Sequence, residues 1–106
     1  NPVSVKTIEE NIVNCGFTEK SEVFRKKSSK YVVKTNKKYD LIFSDPFYTD
    51  TSQKYLISNL KKILNEHGVV VFFHGENLDM EELVKGTDLK ITEERAFGKS
   101  FFTLMQ

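Results

Sequence analysis

The 106 residues are 39% hydrophobic and 29% charged, with a formal net charge of +1. That balance describes one small globular domain and excludes a disordered or membrane-embedded chain. The longest apolar run, Val69 to Phe73, falls far short of a membrane span, and no signal-peptide pattern opens the chain. Cys15 has no second cysteine to pair with, which rules out an internal disulfide and suits a reducing cytoplasm, the expected location.

The first segment reads as a helix, with Ser4 as its cap and Val5, Ile8, Ile12 and Cys15 along one stripe. Gly16 stands where a left-handed carboxyl cap belongs, and the stripe makes Cys15 a core residue. Glu22 to Phe24 has the makings of a short strand, and Ser28 to Thr35 is ambiguous, a helical turn being one reading. Tyr39 to Ser44 is a strand whose unbroken Leu41-Ile42-Phe43 predicts burial on both faces. Ser52 to Glu66 is a helix, with Leu56, Leu60, Ile63 and Leu64 on a stripe and Gly68 ending it; Asp50 helps to start it. Val69 to Phe73 is a second strand of the doubly buried kind. Asp79 and Glu82 form a capping-box pattern for a short helix ending at Gly86. Leu89 to Ala96 and Phe101 to Met105 are strands joined by the turn Phe97-Gly98-Lys99-Ser100. Strands alternating with helices, then a terminal hairpin, make an α/β plan with a mostly parallel sheet.

Charge is unevenly placed along this plan. Arg25 to Lys38 holds seven bases and no acid, whereas the chain from Tyr39 onward holds eleven acids against seven bases. Such a run binds phosphate by counterion release, or is simply a solvated face. Arg25, Lys26, Lys27 and Lys30 are the candidate contacts. His67 and His74 are too far apart for a metal pattern, and no cysteine pair or acid cluster completes one. His67 is expected to face a helix carboxyl end. His74 and Glu76 follow a strand and are candidates to line a crevice, and Lys99 reads as a solvated turn residue. The sequence contains no serine–histidine–acid arrangement or phosphate-binding Gly-Lys-Ser/Thr motif.

The sharpest local feature is "DLIFSDPFY", Asp40 to Tyr48. In α/β sheets ligands gather at the carboxyl ends of the strands, and Asp45-Pro46-Phe47-Tyr48 falls there. Pro46 lacks an amide hydrogen and holds Asp45 extended. The Asp45 carboxylate and a nearby backbone carbonyl then offer two acceptors at fixed separation, matching the two N–H donors of a nucleobase amino group. Holding that nitrogen still is a positioning effect. Phe47 or Tyr48 supplies a face on which an unstacked base can rest. The plainer alternative is an Asp-Pro turn with two aromatics packed beside the sheet.

"YDLIFSDPFY" resembles the Asp-Pro-Pro-Tyr/Phe loop of amino-group methyltransferases that use S-adenosylmethionine. "IEENIVNCGF", "HGVVVFFHGEN" and "ITEERAFGKSFFTLMQ" narrow the resemblance to the RsmD-type enzymes, which modify a guanine amino group of 16S ribosomal RNA. The resemblance implies the carboxyl-terminal part of a Rossmann-like methyltransferase, residues 1–106 being one partial domain. Asp45 and Pro46 would supply the catalytic acceptors and Tyr48 the stacking ring, while Phe47 stands in place of the family's second proline. The glycine-rich loop and ribose-binding acid of such enzymes have no counterpart here. Arg25-Lys26-Lys27 stands where many relatives place an acid near the adenine. Weak or absent S-adenosylmethionine binding is therefore expected of this chain alone.

The resemblance further implies a partnership with 16S ribosomal RNA or the small ribosomal subunit. It also implies a free edge on the Leu41-Ile42-Phe43 strand, which invites self-association or leaves the Val23 region poorly ordered. The rival readings are a non-catalytic α/β module that binds nucleic acid or protein, and an amino-group methyltransferase acting on DNA adenine.

Overall fold

The structure is a computed structural model that describes residues 1–45, 53–75 and 78–106. Its elements run α1 (Pro2–Cys15), α2 (Ser28–Lys34), β1 (Tyr39–Ser44), α3 (Gln53–Leu60), β2 (Leu64–Gly75), α4 (Met80–Val84), β3 (Ile91–Phe97) and β4 (Ser100–Met105), with single 3₁₀ turns at Thr18–Lys20 and Lys61–Ile63.

α1 begins earlier than its apolar stripe suggests. The Asn1 side chain accepts from the Val3 amide at 2.9 Å, and Pro2 brings its fixed φ to the first turn, so Asn1 rather than Ser4 is the cap. Gly16 ends the helix at φ 77°, and the Phe17 amide donates back to the Ile12 carbonyl. No α1 residue is buried, and Cys15 is exposed rather than in the core. A 3.6-residue stripe shows which face could be covered, not that anything covers it.

The sheet order is β1-β2-β4-β3. β1 and β2 are parallel, with Leu41 opposite Val69 and Ser44 opposite Phe72; the other two pairings are antiparallel. The α/β expectation holds, but the sheet is mostly antiparallel among the described strands. Two of its four strands belong to the closing hairpin, and Glu22 to Phe24 forms no strand. Gly98, at φ 59°, makes the tight hairpin turn.

β1 is therefore an edge. Leu41 and Phe43 point outward at 52% and 65% exposure, against the expectation of burial on both faces. An unbroken apolar run signals two faces able to be buried, and among the described residues only β2 lies beside this one. In β2 burial alternates: Val70, Phe72 and His74 are buried while Val69, Val71 and Phe73 are half-covered.

The predicted helix to Glu66 stops at Leu60, and the 3₁₀ turn leads straight into β2. Leu64 leaves the helix to sit opposite Tyr39, and Asn65 donates to the Asp40 carboxylate at 2.9 Å, so pairing with β1 outweighs helix propensity. Leu56, Leu60, Ile63 and Leu64 are nonetheless all buried as the stripe predicts. His67 takes φ 65° and faces solvent beside Glu66 instead of a helix end. The core gathers Ile57 and Leu60 of α3, Val70 and Phe72 of β2, Met80 of α4 and Met105 of β4. At α4 the Asp79 carboxylate accepts from the Glu82 amide, as the capping pattern predicts. At the other end Lys54 of α3 donates to the Glu82, Leu83 and Lys85 carbonyls, tying the two helices together.

Candidate functional site

β1 and β2 run side by side in the same direction, so their carboxyl ends open onto one edge of the sheet. Asp45 follows the last residue of β1 there and is exposed. Among the described residues its carboxylate has neither a hydrogen-bond nor an ion-pair partner, which leaves its oxygens available as acceptors. Pro46, Phe47, Tyr48, Asp50 and Glu76 lie outside the described residues.

His74, at the same end of β2, is not an open crevice residue. It is buried, and both ring nitrogens are engaged: Nδ1 donates to the Gly75 carbonyl at 2.9 Å, and Nε2 accepts from the Thr103 hydroxyl at 2.8 Å. Phe101 stacks on the ring with centroids 5.8 Å apart. His74 thus locks β2 to β4 at this end of the sheet. Removing the hydroxyl with Thr103→Val orphans a buried acceptor, and is expected to cost about 1–3 kcal/mol in urea unfolding. A loss below about 0.5 kcal/mol would refute that role.

The basic segment takes shape on the other side of β1. Arg25, Lys26 and Lys27 lie on the loop before α2, and Lys30 and Lys34 on the helix itself; all five are exposed. Phe24, outside any strand, stacks on Tyr31 of α2 with ring centroids 5.7 Å apart, and the Lys26 ammonium lies 5.2 Å from the Phe24 ring centre. Tyr31 and Tyr39 share a 2.6 Å hydrogen bond between hydroxyls, which holds the Tyr39 phenol above its usual range. Lys37 pairs with Glu22 at 2.7 Å, and that carboxylate raises the Lys37 ammonium's pKa.

Two cavities meet at the aromatic pair. One, of about 330 Å³, runs along β1 and is lined by residues including Tyr31, Ile42, Ser44, Leu56 and Leu60. The other, of about 570 Å³, lies over α2 among Lys30, Lys34 and Lys37. Phe24, Lys26 and Tyr31 line both. The sequence reading marked the lysines but not the Phe24–Tyr31 pair, whose seven-residue spacing gains meaning only when the intervening turn folds back. Among the described residues no cluster of potential metal ligands occurs.

Residues 1–106 match the family model described as Conserved hypothetical protein 95. No curated protein matches the chain by sequence. Among solved structures, a conserved hypothetical protein of Streptococcus pyogenes superposes with TM-score 0.84 at 22% identity, over 99% of this chain and 66% of its own. A Haemophilus influenzae protein provisionally described as a methylase gives 0.78 at 17% identity, over 100% and 67%. The Escherichia coli protein yhhF, provisionally described as a methyltransferase, gives 0.77 at 12% identity, over 96% and 55%. At these identities the likeness is one of fold, and the chain spans between 55% and 67% of the length of these structures.

Proposed function

The chain belongs to the Conserved hypothetical protein 95 family, that of the RsmD-like methyltransferases, and we propose from that premise that it is the carboxyl-terminal portion of an enzyme that methylates the exocyclic amino group of a guanine in 16S ribosomal RNA. The observation that carries the reading is Asp45, an exposed carboxylate with no partner among the described residues, at the shared carboxyl end of two parallel strands. There it accepts one N–H of the base amine, and the Pro46 carbonyl accepts the other. The nitrogen is fixed in orientation, and Tyr48 and Phe47 receive the unstacked ring. Arg25, Lys26, Lys27 and Lys30 dock the RNA through phosphate contacts that set register without reading sequence.

S-adenosylmethionine is the methyl donor that the family implies. The described residues do not build a cradle for its cationic end: no carboxylate lines the cavity beside β1, and Lys26 does. In calorimetric titration this chain alone is expected to show no saturation by the cofactor below about 1 mM.

The test is methyl transfer by the complete protein to 16S ribosomal RNA, naked and within the small subunit, against duplex DNA, with the modified base mapped. Methyl groups appearing on a guanine amino nitrogen of the RNA support the reading. Methylation of adenine in the duplex transfers the site to a DNA substrate, and no transfer to any of them overturns it.

A further inference from the structure

The cavity over α2 has a feature that a solvated lysine face lacks: its floor is aromatic. Phe24 and Tyr31 form the stacked pair, and Lys26, Lys30, Lys34 and Lys37 surround it. Glu22 is the acid on this wall, and Lys37 neutralises it at 2.7 Å. Among the described residues no carboxylate lies within ion-pair distance of Lys26, Lys27, Lys30 or Lys34, so four cations converge without counter-charge. Lys30 and Lys34, four residues apart, are neighbours on the α2 surface, and Lys27 stands at the cap position just before it.

We propose that this groove binds single-stranded nucleic acid. Phosphates lie along Lys27, Lys30 and Lys34, and a base stacks on the Phe24 ring. The Lys26 ammonium, now held over that ring, exchanges the π face for a phosphate when the base arrives. A duplex keeps its bases stacked inward and offers the Phe24 ring nothing, so the aromatic floor selects an unpaired strand. The adjoining cavity continues from Phe24, Lys26 and Tyr31 along β1 to Ser44, the residue before Asp45. The groove thus feeds a strand toward the candidate site and holds it on the side where α2 packs against α3. The path to Asp45 rests on the methyltransferase reading, whereas binding in the groove does not.

The experiment measures fluorescence anisotropy of labelled oligo-uridine, oligo-thymidine and a duplex of equal length with this protein across a salt series. Oligo-uridine contains no guanine, so its binding reports the groove whether or not any methyl transfer occurs. Either single strand is expected to bind at least about ten-fold more tightly than the duplex. With four lysines engaged, the slope of log affinity against log salt should be about −3. Lys30→Glu with Lys34→Glu should remove most of the affinity and lower the slope toward half. Phe24→Leu, which keeps the apolar bulk and loses the π face, should weaken single-strand binding about ten-fold and leave the slope unchanged. Duplex binding as tight as single-strand binding, or affinity indifferent to Phe24→Leu, would leave only a non-specific basic patch and overturn the proposal.

Discussion

Phe72→Ala is expected to remove about 3–5 kcal/mol of unfolding free energy, close to the whole margin of a domain this small. Phe72 is fully buried on the inner face of β2, at the centre of the core that α3, α4 and β4 close over. Truncation there loses the transfer free energy of a ring and leaves a cavity that alternating neighbours cannot collapse into, because Val70 and His74 are already buried on the same face. Phe43, on the neighbouring strand and two-thirds exposed, is the internal control: Phe43→Ala should change stability by no more than about 0.5 kcal/mol. Urea unfolding followed by circular dichroism measures both, as a fall in midpoint at constant slope for Phe72→Ala and no shift for Phe43→Ala. Equal effects at the two positions would mean that β1 is covered on its outer face.

That contrast also marks what the sequence made legible. The runs Leu41-Ile42-Phe43 and Val69 to Phe73 both announced strands, and both are strands, because continuous β-branched and aromatic residues favour the pleated chain whatever surrounds them. Their burial was not legible in the same way: it depends on which neighbours are present, and β1 has β2 on one side only among the described residues. The same limit accounts for Cys15, which sits on a sound apolar stripe with nothing packed over it. Residues 61–66 failed for a different reason. Periodicity supported the helix, and a long-range pairing of Leu64 with Tyr39, together with the Asn65–Asp40 hydrogen bond, took the segment into the sheet. Local pattern cannot weigh a partner twenty-five residues away.

At the site, the legible part was chemical and the illegible part relational. An acid followed by proline after an apolar run located Asp45 at the strand end, where the structure places it. Histidine at the end of the next strand suggested a crevice residue, but its two nitrogens are consumed by Gly75 and Thr103. Thr103 lies 29 residues further on, and a threonine in a strand gives no sign of what it will meet. The Phe24–Tyr31 stack was hidden because Glu22 to Phe24 read as a strand, which would have turned the ring into the sheet. Released from any ladder, Phe24 lies against α2 instead.

Asp45→Ala in the complete protein is expected to lower the methyl-transfer rate by at least about a hundred-fold, since removing one of two acceptors frees the amine to rotate out of line. The fold should not register the change. Asp45 is exposed and ties down nothing among the described residues, so unfolding should stay within about 0.5 kcal/mol of the parent. Apparent affinity for RNA should also hold, because the lysines proposed to contact phosphate sit around α2 and not beside Asp45. The effect must therefore fall on kcat and spare KM. Asp45→Asn separates orientation from charge: its amide oxygen can still accept one N–H, but as a neutral group it holds that bond more weakly than a carboxylate does. Its rate should lie between those of the parent and the alanine variant. Single-turnover transfer of a labelled methyl group to 16S ribosomal RNA distinguishes these outcomes. A drop of less than about three-fold for the alanine variant would remove Asp45 from the chemistry. A large drop shared equally between kcat and RNA binding would make it part of the docking surface instead.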